Sequence, residues 1–234
     1  MTYSLDPIGI IRSPYKEKFA IPRQPNLAPA GSGEIQLLAP YNKAEMVRGL
    51  EQFSHLWILF IFNQTQAQGW RPTVRPPRLG GNERIGVFAS RSTFRPNPIG
   101  LSLVELKEIV QQQDQLIIKL GSVDLLDGTP VVDIKPYIPY ADCYPDACAG
   151  YAQVAPQESL TVAFSVQAQA QILQYQTDYP QLKPLIEQVL AQDPRPAYKK
   201  RQTDSQEYGV HLFDFNIRWR VSHQQVDVLT IVKI

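Results

Sequence analysis

Apolar and polar positions along residues 7–134 fall into short blocks. Pro7–Arg12 (PIGIIR), Glu34–Leu38 (EIQLL), His55–Phe62, Arg84–Ala89, Leu101–Val110, Gln115–Leu120 and Val131–Ile134 each read as a strand. His55–Phe62 is apolar at nearly every position, which predicts a central strand covered on both faces. Lys43–Phe53 places Met46, Val47 and Leu50 at helical spacing, closed by Phe53, and predicts one short helix. Asp127-Gly128 marks a turn. So many strands with one weak helix argue against a doubly wound parallel sheet and for a small barrel or a strongly bent sheet.

The pattern changes at Ala141–Ser159 (ADCYPDACAGYAQVAPQES), which is small and polar. We therefore divide the chain into residues 1–145 and a smaller domain of residues 155–234. In the second part Leu182, Leu185, Ile186, Val189 and Leu190 recur with the helical period. Asp178 is the expected N-cap, Pro180 and Pro184 suit the first turn, and Asp193-Pro194-Arg195-Pro196 ends the helix. A weaker helical pattern covers Ala168–Gln176. Tyr208–Val221 reads as a strand whose alternation changes phase at Phe213, which predicts a bulge or bend there. Val226–Ile234 is a second strand. The fold class is mainly β with an α+β C-terminal part.

With 234 residues, 44% of them apolar, the chain can bury a real core. Its net charge of +1 excludes a globally basic nucleic-acid binder, so any electrostatic argument must be local. The N-terminus lacks the basic-then-apolar pattern of a secretory leader, and the longest apolar run is too short to span a bilayer. No membrane association is expected. Cys143 and Cys148, in a C-x4-C spacing without further ligands, do not make a zinc site and read as two free thiols. No glycine fingerprint after a strand, P-loop, HExxH or GxSxG occurs. No metal site is expected.

The chemistry concentrates in Arg71–Arg95. Arg71, Arg75, Arg78, Arg84, Arg91 and Arg95 are accompanied by one acid, Glu83, and no lysine. Arginine presents a planar fork of donors matched to phosphate and carboxylate. Neighbouring prolines stiffen the backbone, and Trp70, Phe88 and Phe94 are interleaved, a combination suited to single-stranded or loop RNA. The competing reading is a solvated loop with structural ion pairs. In Pro96-Asn97-Pro98-Ile99-Gly100, two prolines hold the Asn97 amide in one direction for recognition; a plain turn fits the spacing as well. Asp124, Asp127 and Asp133 fit acid/base or metal chemistry, against turn duty for Asp127 and pairing of Asp133 with Lys135. Asp193 and Arg195 are either a helix stop or an acid and an arginine on a rigid loop. His55, His211 and His223 do not cluster, and His55 reads as packed. Residues alone thus reach a β-rich protein with a preorganised arginine site for an anionic ligand.

Resemblance adds to this. GVFASRSTFRPNPIGLS is similar to the signature of the TsaA-like (TrmO) family of tRNA methyltransferases. So are Ile8-Gly-Ile-Ile-Arg-Ser-Pro-Tyr15, Phe53-Ser-His-Leu-Trp57, Leu125-Leu-Asp-Gly-Thr-Pro130, Asp133-Ile-Lys-Pro-Tyr137 and Asp193-Pro-Arg-Pro196. The resemblance implies an antiparallel β-barrel that acts as a homodimer. Its implied activity is transfer of a methyl group from S-adenosylmethionine to N6 of threonylcarbamoyladenosine, next to the anticodon of certain tRNAs. It implies a cofactor site of Pro25, Asn26, Leu27, Asn63, Gln64, Arg91, Leu101, Gly121, Ser122, Val123 and Asp124. Arg91, Tyr137 and Asp193 are its candidates for catalysis, and Arg95, Asn97 and Arg195 its candidates for substrate binding. The expected partner is the anticodon stem-loop, and the expected compartment the cytoplasm. Two rivals stand beside it: an RNA-binding module without chemistry, and a hydrolase using Asp124, Asp127 and Asp133. Lys199, Lys200 and Arg201 are a candidate extra grip on tRNA.

Overall fold

The computed structural model describes residues 3–156, 160–196, 199 and 206–234; Lys200 and Arg201 lie outside the described residues. The chain divides into two compact units that do not follow chain order. Met1–Arg12, Gly33–Gly121 and Gly128–Val154 make the first, and Ser13–Ser32, Ser122–Asp127 and Ala155–Ile234 make the second.

The first unit carries β1 (Gly9–Arg12), β2 (Ser32–Leu37), β3 (His55–Ile61), β4 (Thr73–Val74), β5 (Ile85–Gly86), β6 (Ile99–Gln112), β7 (Gln115–Ser122) and β8 (Pro130–Pro136). Six of these close a barrel in the order β1-β2-β7-β6-β3-β8. β3 runs antiparallel to both β6 and β8, and β6 antiparallel to β7. Side chains alternate across the wall, as the strand period requires. Leu56, Ile58 and Phe60 fill the interior with Ile11, Ile35, Val104, Ile118 and Val131. Trp57, Leu59 and Ile61 face outward and are only half-buried. The expectation of two covered faces on this strand therefore fails: closure into a barrel gives every strand one interior face. The ladder between β6 and β7 shifts register at Lys107, a bulge that bends the long strand around the wall.

Two further expectations are corrected here. Lys43–Phe53 is no helix but two short 3-10 turns, Ala44–Val47 and Leu50–Gln52. Gly49 interrupts them in the left-handed region, and neither turn buries a residue, so the helical spacing has no face to pack. Arg84–Ala89 is not a barrel strand. Only Ile85–Gly86 is extended, paired with β4, and Val87–Ala89 turns at once. A short helix α1 (Pro139–Asp142) follows β8.

The second unit holds β9 (Thr161–Phe164), α2 (Val166–Tyr175), α3 (Leu182–Ala191), β10 (Glu207–Leu212), β11 (Phe215–Ser222) and β12 (Gln225–Lys233). The sheet order is β10-β11-β12-β9, and β9 lies parallel to β12. The expected single strand Tyr208–Val221 is a hairpin. Its change of phase is a tight turn at Phe213-Asp214, with Phe213 at φ 51°. The Ser165 hydroxyl caps α2 by accepting the Ala168 N–H at 3.0 Å. α3 starts after Gln181, without the expected side-chain cap from Asp178. It buries Leu182, Leu185, Ile186, Val189 and Leu190, the predicted stripe, in a core that includes Phe215, Ile217, Trp219 and Val228.

Gly100 on β6 lies opposite Phe60 on β3, and a Cβ there would stand 2.2 Å from the ring. The ring crosses the strand only because no side chain is present. Gly100→Ala is expected to cost about 1–3 kcal/mol by overpacking. Adding Phe60→Leu should recover part of the loss in urea unfolding.

Candidate functional site

The arginine stretch is folded by its own side chains. β4 and β5 form a two-rung ladder, extended by Val87 N–H to Pro72 O at 3.0 Å and by Arg71 N–H to Phe94 O at 3.2 Å. The Ser90 hydroxyl donates to Val87 O at 2.8 Å. Its oxygen also accepts the Ser92 N–H, and the Ser92 hydroxyl accepts the Phe94 N–H, each at 3.3 Å. These are local turns of the kind serine favours. Arg91 is exposed on this serine brace. Arg95 is spent differently: its Nη1 donates to Val87 O at 3.2 Å and Ser90 O at 2.7 Å. Its guanidinium lies 5.7 Å from the Phe88 centroid, and that of Arg71 lies 4.8 Å from the Phe94 centroid. Arg84 donates to Thr73 Oγ1 at 3.2 Å, Arg78 donates to Val154 O, and the Tyr151 hydroxyl reaches Ala89 O at 3.4 Å. Among the described residues none of Arg71, Arg75, Arg78, Arg84 and Arg95 has an acid at ion-pair distance.

The other candidates of the first unit flank this loop or stand apart from it. Asn97 is exposed, and its carbonyl accepts the Ile99 N–H at 2.8 Å in a tight turn into β6. Phe62 N–H bonds Pro98 O at 2.8 Å, so exposed Asn63 and Gln64, next in sequence, emerge beside that turn. Leu101 faces outward, 52% exposed, opposite Leu59. Gly121, near the end of β7, admits no side chain without pressing on Glu105. Tyr137 is at the far end. Its N–H bonds His55 O at 2.9 Å, and its ring meets the edges of His55 and Trp57. The seven residues of β3, about 20 Å, separate it from Asn63. Within one chain the fold does not bring Tyr137 to Asn63 and Gln64. Desolvation first, then a hydrogen bond with Cys143, pushes the Tyr137 phenol up, so at neutral pH it is a donor.

In the second unit three distant stretches converge. Asn26 sits at φ 68° and donates its N–H to Ser122 Oγ at 3.1 Å, while the Ser122 hydroxyl donates to Ala28 O at 2.9 Å. Val123 N–H bonds Gly31 O at 2.9 Å. From α3, Gln192 Nε2 donates to Leu27 O at 2.8 Å and Gln188 Oε1 accepts the Ala30 N–H at 2.8 Å. The Pro25–Leu27 turn is thus pinned between Ser122–Asp124 and the end of α3. Asp193 and Arg195 follow at once, buried to about 5% exposure. Arg195 donates Nε to Asp193 Oδ1 at 2.8 Å and Nη2 to Oδ2 at 3.0 Å, a bidentate pair across a turn with Asp193 at φ 48°.

Three side chains here escaped sequence reasoning. Gln188 and Gln192 look like the polar face of a helix, and their only signal is an i, i+4 spacing of amides. Tyr15 lies fully buried, with its hydroxyl unpartnered among the described residues. A Cβ on Gly31 would meet that hydroxyl at 2.0 Å. Burial first, then the Asp124 carboxylate, holds the Tyr15 phenol well above its ordinary range.

The aspartates do not gather. Asp127 accepts the Ser13 N–H at 3.0 Å and pairs with Lys16 at 3.0 Å, which is turn duty, and Asp133 pairs with Lys135 at 2.8 Å. Among the described residues no His, Cys, Asp and Glu group could hold a metal ion. Cys143 and Cys148 are exposed free thiols. No helix among the described residues is long and apolar enough to cross a membrane.

Comparison with known proteins gives this arrangement a context. A tRNA (adenine(37)-N6)-methyltransferase of Escherichia coli is 60% identical over 230 residues, 98% of either chain. A putative S-adenosylmethionine-dependent methyltransferase of Pseudomonas aeruginosa is 48% identical, over 100% of this chain and 98% of that one. The crystal structure of TrmO from Pseudomonas aeruginosa superposes with a TM-score of 0.81 at 42% identity, covering 99% of each chain. Residues 10–143 match the tRNA-methyltransferase O N-terminal domain and residues 157–234 the TrmO C-terminal domain, so the chain belongs to the tRNA-methyltransferase O family.

Proposed function

We propose that this protein methylates N6 of threonylcarbamoyladenosine beside the anticodon of tRNA, using S-adenosylmethionine. The observation that carries the reading is the end-to-end identity with a protein named tRNA (adenine(37)-N6)-methyltransferase. The donor set fits such a cofactor. In the first unit the amides of Asn63 and Gln64 suit a purine edge or a ribose; in the second, Asp124 and the pinned Pro25–Leu27 backbone suit an ammonium group or hydroxyls. S-adenosylmethionine brings an electrophilic methyl on a sulfonium, and its in-line displacement depends chiefly on positioning.

The residues of the chain then have separate tasks. Arg91 offers its fork to the threonyl carboxylate or an adjacent phosphate. Arg95 keeps the turn beneath it in shape, and Asn97 presents an amide at the entrance to β6. N6 bears a carbonyl substituent, which eases loss of its proton, so a modest base suffices. Asp193 is our candidate for that role, or for orienting Arg195, to which both its oxygens are bonded. Tyr137, a neutral phenol, is assigned to hydrogen-bond donation.

A homodimer and a cytoplasmic site of action belong to the same proposal. Exposed Ile99 and Leu101, beside half-buried Trp57, Leu59 and Ile61, give the barrel wall an outward apolar strip. A second copy covering it would also bring in a second Tyr137.

Incubation of the protein with S-adenosylmethionine and tRNA from cells lacking this gene should add one methyl to threonylcarbamoyladenosine in nucleoside mass spectrometry. No gain, with tRNA binding intact, would leave an RNA-binding module. Arg91→Ala should lose about 100-fold or more in turnover, the scale for removing one positioned charge donor, with the unfolding curve unchanged. Asp193→Asn removes the carboxylate charge that buried Arg195 meets at two hydrogen bonds and should destabilise by about 3–5 kcal/mol. The double variant Asp193→Asn/Arg195→Gln should recover stability but not activity.

A further inference from the structure

The Gly69–Pro98 stretch has a second property that anion binding by Arg91 leaves unused. Two large rings stand in solvent on it: Trp70 is 60% exposed and Phe88 is 77% exposed. Neither is loosely hung. Trp70 precedes Arg71, whose N–H is tied to Phe94 O, and Phe88 follows Val87, whose N–H is tied to Pro72 O. Phe88 has Arg95 against its ring, and Arg95 is itself fixed by the Val87 and Ser90 carbonyls. The ring is therefore backed on one side by a cation that cannot swing away, while most of its surface stays open. On its far side the loop is tied at Ala89, whose carbonyl accepts from the Tyr151 hydroxyl, and at Arg78, which donates to Val154 O.

Exposed aromatics on a monomer surface mark something that covers them. Here the surroundings choose the occupant. Arg95 lies against Phe88, Arg71 follows Trp70, and Arg75, Arg78 and Arg84 belong to the same stretch; among the described residues none of the five has an acid at ion-pair distance. An apolar protein partner would gain nothing from that excess of cation. A polyanion whose flat faces are unpaired gains from both, because a base stacks on the ring while its phosphates meet the guanidinium groups.

We propose that Phe88 and Trp70 are stacking platforms for unpaired bases of an RNA loop, held in register by the braced arginines around them. This rests on the tRNA reading above and deepens it: the loop nucleotides flanking the methylated purine are the ones that would stack. An unpaired loop is what such platforms accept, since a paired base offers no free face.

The test compares binding of an RNA hairpin carrying an unpaired loop with binding of a fully paired RNA duplex of equal charge. The wild-type chain should prefer the hairpin, with quenching of tryptophan fluorescence that Trp70→Ala abolishes. Phe88→Ala and Trp70→Ala should each weaken hairpin binding roughly 10-fold and leave duplex binding and the salt slope unchanged. Phe88→Trp should retain hairpin affinity and Phe88→Leu should lose it, since Leu keeps the apolar bulk without the π-face. Phe88→Leu binding as tightly as wild type would overturn the proposal. So would equal weakening of hairpin and duplex. So would a shift of RNA-free Phe88→Ala to a smaller sedimenting species, which would assign the ring to contact between copies. The two readings fail separately. Methyl transfer with Phe88-independent affinity removes the platform alone. Phe88-dependent hairpin binding without any methyl transfer removes the enzymatic reading and keeps the platform.

Discussion

A backbone amide that leaves the sheet and enters the interior must still find a partner. That requirement shapes both candidate regions. Before its last residue the segment Ser13–Ser32 meets a strand only through the isolated bridge of Tyr15 to Leu212, yet parts of it are buried. Its polar groups are met one by one by distant side chains: Ser13 N–H by Asp127, Asn26 N–H by Ser122, Ala30 N–H by Gln188, and Leu27 O by Gln192. The arginine loop meets the same need from within, through Ser90, Ser92 and Arg95. The result in each case is irregular backbone with a defined shape, which is what a site needs and a regular strand cannot supply.

The two regions also handle charge in opposite ways. Asp193 and Arg195 are buried together, and each neutralises the other at two hydrogen bonds. Among the described residues Arg71, Arg78, Arg84 and Arg95 have rings, carbonyls and a hydroxyl as protein partners, none of which cancels a positive charge. A net charge of only +1 for the whole chain therefore conceals a strongly uneven surface.

How much of this was legible depends on how local the cause is. The stripe on α3 is set by near neighbours, and the sequence carries it openly, whereas β3 is apolar at nearly every position and its inward and outward faces cannot be told apart by type. The phase change at Phe213 was visible too, but a bulge and a two-residue turn leave the same trace in alternation. Lys43–Phe53 had helical spacing with nothing to pack against, a lack that only the tertiary structure reveals. The arginine loop was found because guanidinium, proline and aromatic residues advertise their chemistry by type. Gln188, Gln192 and Tyr15 were not, because their work is done on residues more than a hundred positions away or through a hydroxyl pressed against one glycine. The separation of Tyr137 from Asn63 likewise follows from strand direction, which no spacing rule encodes.

The parallel pairing of β9 with β12 sets an order of events during synthesis. Thr161 meets Gln225 and Phe164 meets Val228, so β9 waits for its sheet partner until residues 225–228 have been made. The compact unit that receives this pairing also claims Ser13–Ser32 from the start of the chain. Its contacts thus span almost the full length, a topology that folds slowly because the loop must close before any contact rewards it. The barrel strands, all within residues 9–136, are made before Gln188 and Gln192, the side chains that bond Ala30 and Leu27. The chain can therefore hold every barrel strand while the turn at Pro25–Leu27 still lacks part of what fixes it.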